Sequence, residues 1–174
     1  MKRMMSMGQR WDDYLNEISI AEDALQQQKL YHASEDLLCD FFTIPSHNHY
    51  CFYARIYQSE RLITYVRTEI YDPVTGTVIK MYSFSDARKA GKRGRIICGE
   101  RKLEQRAMES LQAFCDVLPV EVVPGEDNGI VLDGVTQLIR VYEDGTVVKR
   151  ALFMNGNKPI IGDLYLLLEK QIRG

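Results

Sequence analysis

Segments with strand character occur in groups along this chain, and this grouping limits the folds that it can adopt. Residues 51–57, 62–71 and 77–84 are rich in Tyr, Ile, Val and Thr, which favour extended backbone. The 72–76 segment contains a proline and a glycine, which suit a tight turn. Strands that follow one another through short turns pair antiparallel, so the sequence predicts a three-stranded meander here.

A second group of strand segments occurs later in the chain, in residues 130–132, 135–142 and 146–153. Asp133-Gly134 joins the first two, and a turn containing Asp144-Gly145 joins the last two. Asp-Gly between β-branched runs is the strongest short-range signal of a hairpin. We therefore expect a second meander.

Helical spacing of apolar residues separates and flanks the two strand groups. It occurs in residues 11–25 and 103–118, and again in residues 160–172 after a proline that can occupy the first turn of a helix. Ser34 can act as an N-cap, so we also expect a helix that includes Leu37, Leu38, Phe41 and Phe42 and ends before Pro45.

Strands grouped with strands indicate an α+β fold and not a parallel α/β sheet. We expect one domain over residues 1–174, with an antiparallel sheet of two meanders and about six strands packed with N-terminal, central and C-terminal helices. A chain of 174 residues buries roughly two thirds of the surface that its unfolded form exposes, so it needs no metal or disulfide to be stable.

Cysteine usage and hydropathy predict a cytoplasmic protein without a membrane segment. The four cysteines are far apart and form no C-x-x-C pair, which favours free thiols in the core. The apolar run at the N-terminus, residues 4–8, is too short for the hydrophobic region of a signal peptide, because Gln9 and Arg10 follow it. The longest apolar run is residues 164–168, far short of the roughly 18 residues that a membrane-spanning helix needs.

Motifs for catalysis are missing, and we expect no enzyme, no cofactor and no catalytic residue. The sequence has no G-x-S-x-G, no H-E-x-x-H and no phosphate-binding glycine loop. His47, His49 and Cys51 alternate as zinc ligands on a strand would, but solvent-exposed histidines are the simpler interpretation, and we predict no metal site. Cys98 lies between Arg95 and Arg101, which would lower its pKa, yet its sequence context equally suits a buried strand.

The formal charge of −2 conceals two segments of opposite charge. Residues 12–40 hold eight acidic side chains and one lysine, whereas residues 88–106 hold eight basic and two acidic side chains. We interpret residues 86–99 as a basic, glycine-containing loop. Clustered like charges repel one another, so such segments are either well solvated or presented to a partner.

The basic segment offers a nucleic-acid-binding alternative. Six tyrosines crowd the first meander, where they could stack on bases, although tyrosine also suits a strand without any further role. The predicted basic patch consists of Arg88, Lys89, Lys92, Arg93 and Arg95.

In its small size, absent catalytic motifs and segregated charge, the chain resembles bacterial immunity proteins, which neutralise polymorphic or contact-dependent toxins. The Tyr142-Glu143-Asp144-Gly145-Thr146-Val147 turn and the closing helix share the style of small bacterial α+β proteins. The resemblance implies a non-enzymatic, protein-binding module that occludes the active site of a basic, nuclease-like toxin through the acidic face of residues 12–40. The predicted partner-binding residues are Asp12, Asp13, Glu17, Glu22 and Asp23.

Overall fold

A computed structural model describes residues 7–44, 51–79, 83–119, 121–122, 136–154, 167–168 and 170–172. Helix α1 spans Met7–Gln27, α2 spans Phe84–Lys89 and α3 spans Gln105–Val117, and residues 167–168 and 170–172 are also helical. The strands are β1 (Leu37–Ile44), β2 (Phe52–Tyr57), β3 (Leu62–Tyr71), β4 (Val78–Ile79), β5 (Gly94–Lys102), β6 (Glu121–Val122), β7 (Thr136–Glu143) and β8 (Thr146–Met154).

The described strands form a single open sheet, and the fold class is α+β, as predicted. Their order is β4-β3-β2-β1-β7-β8-β6. Strand β5 also pairs with β3, on the side of β3 that faces away from β2. Every pairing is antiparallel except the short parallel contact between β6 and β8. The first and second strand groups therefore meet in one sheet, and β1 lies between them.

Helices cover both faces of this sheet. On one face, α3 and the C-terminal helical residues pack through Leu111, Cys115 and Leu168. On the other face, α1 packs through Ile18, Ala21 and Leu25, together with Phe84 of α2. Cys39, Cys51 and Cys115 are buried free thiols, which confirms the interpretation of the cysteines as core residues for these three. No helix in the described residues is long and apolar enough to span a membrane.

The helix predicted after Ser34 is wrong. Only Ser34–Asp36 form a 3₁₀ turn, and the chain then enters β1. Strand β1 is buried on both faces because helices cover the sheet on both sides. A strand buried on two sides is apolar at successive positions and loses its period of two, so its sequence resembles that of a helix.

The basic loop predicted over residues 86–99 is also wrong. This segment is the end of α2, a 3₁₀ turn at Gly91–Arg93 and the first part of β5. The strand predicted over residues 77–84 is confirmed only at β4. Ser83 is instead the N-cap of α2, because its side chain and that of Asp86 form a reciprocal capping box.

The remaining elements match the predictions where the structure describes them. Helices α1 and α3, strands β2 and β3 and the β7–β8 hairpin are confirmed. In the hairpin turn, Asp144 and Gly145 have φ values of 49° and 80°, the positive values that Asp-Gly turns adopt. The strand predicted at residues 130–132 lies outside the described residues, and so do residues 159–166 of the closing helix.

Candidate partner-binding surface

A buried carboxylate at the centre of the sheet ties the two strand groups together. Asp40 of β1 is 1% exposed, and it stands opposite Arg55 of β2 on one side and Arg140 of β7 on the other. Arg140 donates from its guanidinium to both oxygens of Asp40. The hydroxyl groups of Tyr53 and Tyr142 donate to Asp40 at 2.8 and 3.0 Å.

The neighbouring Arg55 connects the same face of the sheet to α1 and to the segment that follows it. This side chain is 1% exposed and donates to the Tyr57 hydroxyl at 2.9 Å. It also donates to Glu22 at 3.4 Å and to Ser34 at 3.3 Å. Its guanidinium lies 4.1 Å from the ring centroid of Tyr31. Each hydrogen-bonding nitrogen of this buried cation therefore has a partner.

The network is electrostatically self-consistent. Burial alone would lower the pKa of Arg140, but its attraction to Asp40 and their hydrogen bonds raise that pKa above its ordinary value. Burial and the adjacent Asp40 raise the pKa of Tyr142 and of Tyr53 above their usual value. At neutral pH the arginine stays charged and the tyrosines stay neutral, so the group forms a fixed frame.

Two cavities open at the end of the sheet where this frame reaches the surface. One, of about 300 Å³, is lined by Leu37 and Tyr142 and by the carboxylates of Glu35, Asp36, Glu143 and Asp144. The other, of about 350 Å³, is lined by His32, Tyr57 and Leu62 and by Asp36, Glu60 and Glu100. Among the described residues that line them there is no lysine or arginine. We call these six carboxylates the acidic rim.

Local structure brings the acidic rim together from separate parts of the chain. Asp36 accepts hydrogen bonds from the backbone and hydroxyl of Ser59, which fixes the β2–β3 turn beside the 3₁₀ turn. A Cβ on Gly145 would lie 3.7 Å from Ser34, so the β7–β8 turn packs against the same segment. His32 contacts Glu100 at 2.7 Å and stacks edge-on against the Tyr57 ring.

The predicted partner-binding acids of α1 do not form one surface. Glu17 is 8% exposed and accepts hydrogen bonds from the backbone and hydroxyl of Ser85. Glu22 is half-buried in the network with Arg55. Asp12 and Asp23 are exposed, and the side chain of Asp13 is outside the described residues. The acidic segment 12–40 thus divides between internal structure, the α1 surface and the acidic rim.

The predicted basic patch lies at the opposite end of β3. The side chains of its five residues, Arg88, Lys89, Lys92, Arg93 and Arg95, are all exposed on α2, the Gly91–Arg93 turn and the start of β5. Nucleic-acid binding through them stays a prediction. The stacking role is wrong for Tyr53, Tyr57 and Tyr65, because all three are buried.

Of the two interpretations of Cys98, the structure supports the strand residue and not the reactive thiol. Burial raises the pKa of its thiol, because Cys98 is half-buried against the α1 side of the sheet. Successive side chains of a strand point to opposite faces, so Arg95 and Arg101 lie across the sheet from it. His47 and His49 lie outside the described residues, and Cys51 is buried with a raised pKa. No group of three metal-binding side chains occurs among the described residues.

Sequence reasoning missed Asp40, Arg55 and Arg140 as a unit and the convergence of two acid pairs. The available signal was a single charged residue within each of three otherwise uncharged segments, residues 37–44, 52–57 and 135–142. A lone charge there is expensive to bury unless it is paired, so such residues predict one another as partners. Comparison with protein-family models, curated proteins and solved structures finds no match for this chain.

Proposed function

We propose that this chain is a non-enzymatic protein-binding module that uses the acidic rim to engage a basic protein. The observation that carries the proposal is the pair of adjacent cavities, which share Asp36 and are lined by six carboxylates and two tyrosines. Concave pockets lined by carboxylates suit the lysine and arginine side chains of a basic partner, and arginine is among the residues that contribute most binding energy at interfaces.

The frame beneath the cavities supports this role energetically. Tyr142 and Tyr57 each line one cavity and are also held in the Asp40 and Arg55 network. A surface fixed before binding loses less conformational entropy when a partner docks. Carboxylates that are not neutralised internally attract a cationic partner and increase its association rate.

The more specific proposal is that the partner is a bacterial toxin and that the chain is its immunity protein. A toxin that acts on nucleic acid needs a basic substrate-binding surface. An acidic rim that docks there would exclude the substrate without any chemistry of its own. The proposed mechanism is therefore occlusion of the active site, with the rim and not the whole acidic segment 12–40 as the contact surface.

The test is co-expression with the products of the neighbouring genes, followed by purification and measurement of the affinity of any complex. Three variants with equal charge change separate the surfaces. Glu35→Lys/Glu143→Lys reverses the rim, Asp12→Lys/Asp23→Lys reverses the exposed acids of α1, and the control Glu109→Lys/Asp116→Lys reverses exposed acids of α3.

We expect a stoichiometric complex whose dissociation constant rises at least about a hundredfold in the rim variant, since two charge pairs are reversed and not merely removed. The control should change it less than about threefold. A toxin activity assay should show inhibition by the native chain and by the control. If the rim and α3 variants lose affinity equally, the complex depends only on general charge attraction, and the proposed contact is wrong. If only the α1 variant loses affinity, the contact surface is α1 and not the acidic rim.

A further inference from the structure

Strand β5, which carries three of the eight basic residues of segment 88–106, is a long edge of the sheet. Among the described strands, β5 pairs only with β3, from Gly94 opposite Ile70 to Lys102 opposite Leu62. None of its nine residues is buried. An edge strand presents a row of backbone N–H and C=O groups that can pair with another chain. Over nine residues this row is about 30 Å long.

The two faces of β5 differ in chemistry. Ile96 and Cys98 pack partly against the α1 side of the sheet and stay half-exposed. Arg95 and Arg101 alternate with them and lie on the other face, where Arg95 stands 5.4 Å from the Tyr71 ring centroid. A strand added beside β5 would therefore meet Ile96 and Cys98 on one face, followed by Glu100 and Lys102, and two cations on the other, with Ile97 and Gly99 between them.

The start of the edge is firmly attached to α2. A Cβ placed on Gly94 would lie 2.1 Å from the backbone oxygen of Ala87, so the two elements approach more closely than any other residue would allow. The exposed cations of α2 and the following turn are therefore held beside the beginning of β5. They extend the positive charge beyond the strand itself.

We propose that the β5 edge binds an extended acidic peptide segment by strand addition. The peptide pairs antiparallel or parallel with the backbone of β5. Its alternate acidic side chains face Arg95 and Arg101, and its intervening apolar side chains cover Ile96 and Cys98. Main-chain hydrogen bonds supply affinity in this mode, and the alternate side chains supply specificity.

Charge decides between the possible occupants. A second copy of β5 would bring its own Arg95, Arg101 and Lys102 against the same cations, and edge charges of one sign oppose such self-pairing. A nucleic acid would match the charge but has no backbone that continues a β-ladder. An acidic peptide satisfies both the charge and the edge. This surface is separate from the two rim cavities except at Glu100, so the two proposals can fail independently.

The probe is an end-blocked nine-residue peptide of alternating glutamate and valine, added to the full chain at about 150 mM salt. The matched peptides replace glutamate by lysine, or replace the central valine by proline, which removes a backbone donor. A single-stranded oligonucleotide of similar charge is the fourth ligand. Affinity is measured by titration, and hydrogen exchange of residues 94–102 reports whether backbone amides become protected.

We expect the glutamate peptide to bind and to slow exchange in residues 94–102, and the proline and lysine peptides to bind at least about tenfold more weakly. Arg95→Glu/Arg101→Glu should weaken binding about tenfold or more, whereas Arg106→Glu/Lys170→Glu, which reverses exposed cations on helices, should change it less than about threefold. Unchanged circular dichroism and unfolding midpoint establish that both variants fold.

Three results would overturn the proposal. The lysine peptide could bind as well as the glutamate peptide. The oligonucleotide could bind while the glutamate peptide does not, with no change in exchange at residues 94–102, which would assign the basic residues to nucleic acid. The chain alone could dimerise with protection of residues 94–102, which would make a second copy the occupant.

Discussion

Among single residues, Asp40 connects the two strand groups through its hydrogen bonds. Its carboxylate accepts from Tyr53 of the neighbouring β2 and from Arg140 and Tyr142 of β7, which is about a hundred residues away in the sequence. A buried ion pair adds little net stability compared with apolar residues, but an ion left without its partner is costly. The network therefore determines which strands are neighbours more than it increases the free energy of unfolding.

Asp40→Asn tests this directly. The amide keeps the size of the side chain but removes the charge that compensates the buried Arg140, so the free energy of unfolding should fall by about 3–5 kcal/mol. Urea denaturation measures it. Asp116→Asn, an exposed carboxylate on α3, should change it by less than about 0.5 kcal/mol.

A second variant removes both ions. Asp40→Leu/Arg140→Met leaves no uncompensated charge, and it should be more stable than Asp40→Asn despite its larger chemical change. If both variants lose the same stability, the loss in Asp40→Asn does not arise from a buried charge that has lost its partner.

The buried thiols predict how stability depends on alkaline pH. A hydrogen bond with Cys115, together with burial, raises the pKa of Cys39, and burial, with the charge of Glu17, raises the pKa of Cys51. The unfolded chain ionises such thiols near pH 8.5, while the folded chain keeps them protonated. The contribution of these thiols to stability should therefore be constant below about pH 8 and fall above it, by about 1.4 kcal/mol per pH unit for each thiol.

Cys51→Ala separates this cause from others. The variant should lose some stability at pH 7 through the missing sulfur, but its stability should fall less steeply between about pH 8.5 and 10. Urea denaturation at stepwise pH measures both slopes. Above about pH 10 the raised pKa values of Tyr53 and Tyr142 add a further loss in both proteins. An unchanged slope in the variant would mean that Cys51 ionises equally in both states.

At the scale of elements, the sequence predicted well where periodicity, strand-favouring residues or turn residues are explicit. Helix α3 and strands β7 and β8 have clear periodicity and explicit turn residues, and their positions agree with the structure to within two residues. Strand β1 failed because burial on both faces removes the period that distinguishes a strand. The prediction of a loop over residues 86–99 failed because glycine and basic residues are typical of loops, and the close packing of Gly94 on α2 is a tertiary contact that the sequence pattern does not show.

The candidate surface was predictable only in its parts. The acid pairs Glu35-Asp36 and Glu143-Asp144 stand out in the sequence, but each has an adequate local explanation in a turn. Their convergence depends on the pairing of β1 with β7, which covers about a hundred residues of chain. The prediction that Glu17 lies on the partner-binding surface was wrong for a related reason, since its hydrogen bond with Ser85 depends on α2 folding back onto α1.

Glu17 and Asp23 provide a matched pair on α1. Glu17 accepts from the backbone N–H of Ser85 in the first turn of α2, so it acts as a cap supplied by another helix. Glu17→Ala should cost about 1–2 kcal/mol and increase hydrogen exchange in residues 84–89, as loss of a cap does. Asp23→Ala, at an exposed position, should cost less than about 0.5 kcal/mol and leave that exchange unchanged.

The comparison also has a clear contrary outcome. Equal effects of Glu17→Ala and Asp23→Ala on residues 84–89 would mean that α2 is held by its own capping box alone. Stability is measured by urea denaturation, and local exchange by mass spectrometry of the same samples.

At the scale of the whole molecule, charge is separated along the strand direction. The register of β3 with β5 extends from the rim end at Leu62 to the basic end at Ile70, eight residue steps or about 27 Å. Glu143 and Asp144 lie at the first end, and Lys92 and Arg93 lie at the second. A net charge of only −2 thus coexists with a dipole, which Arg101 and Lys102 at the rim end of β5 partly offset.

This dipole predicts attraction between molecules at low salt. At about 10 mM ionic strength the Debye length is about 30 Å, comparable with the charge separation, whereas at 150 mM it is about 8 Å. Near the pH of zero net charge, the second virial coefficient should be negative at low salt and rise as salt is added. A charge swap, Glu143→Lys/Lys92→Glu, keeps the net charge and shortens the dipole, so it should weaken the low-salt attraction.

The control swap is Arg106→Glu/Glu109→Lys, which exchanges two exposed charges one turn apart on α3 and leaves their separation along the sheet almost unchanged. Light scattering over a concentration series measures all three proteins. If the two swaps behave alike, the attraction does not come from the separation of the acidic rim and the basic end. If attraction in the native chain persists at 150 mM salt, it is not electrostatic at all, because screening would already have removed it.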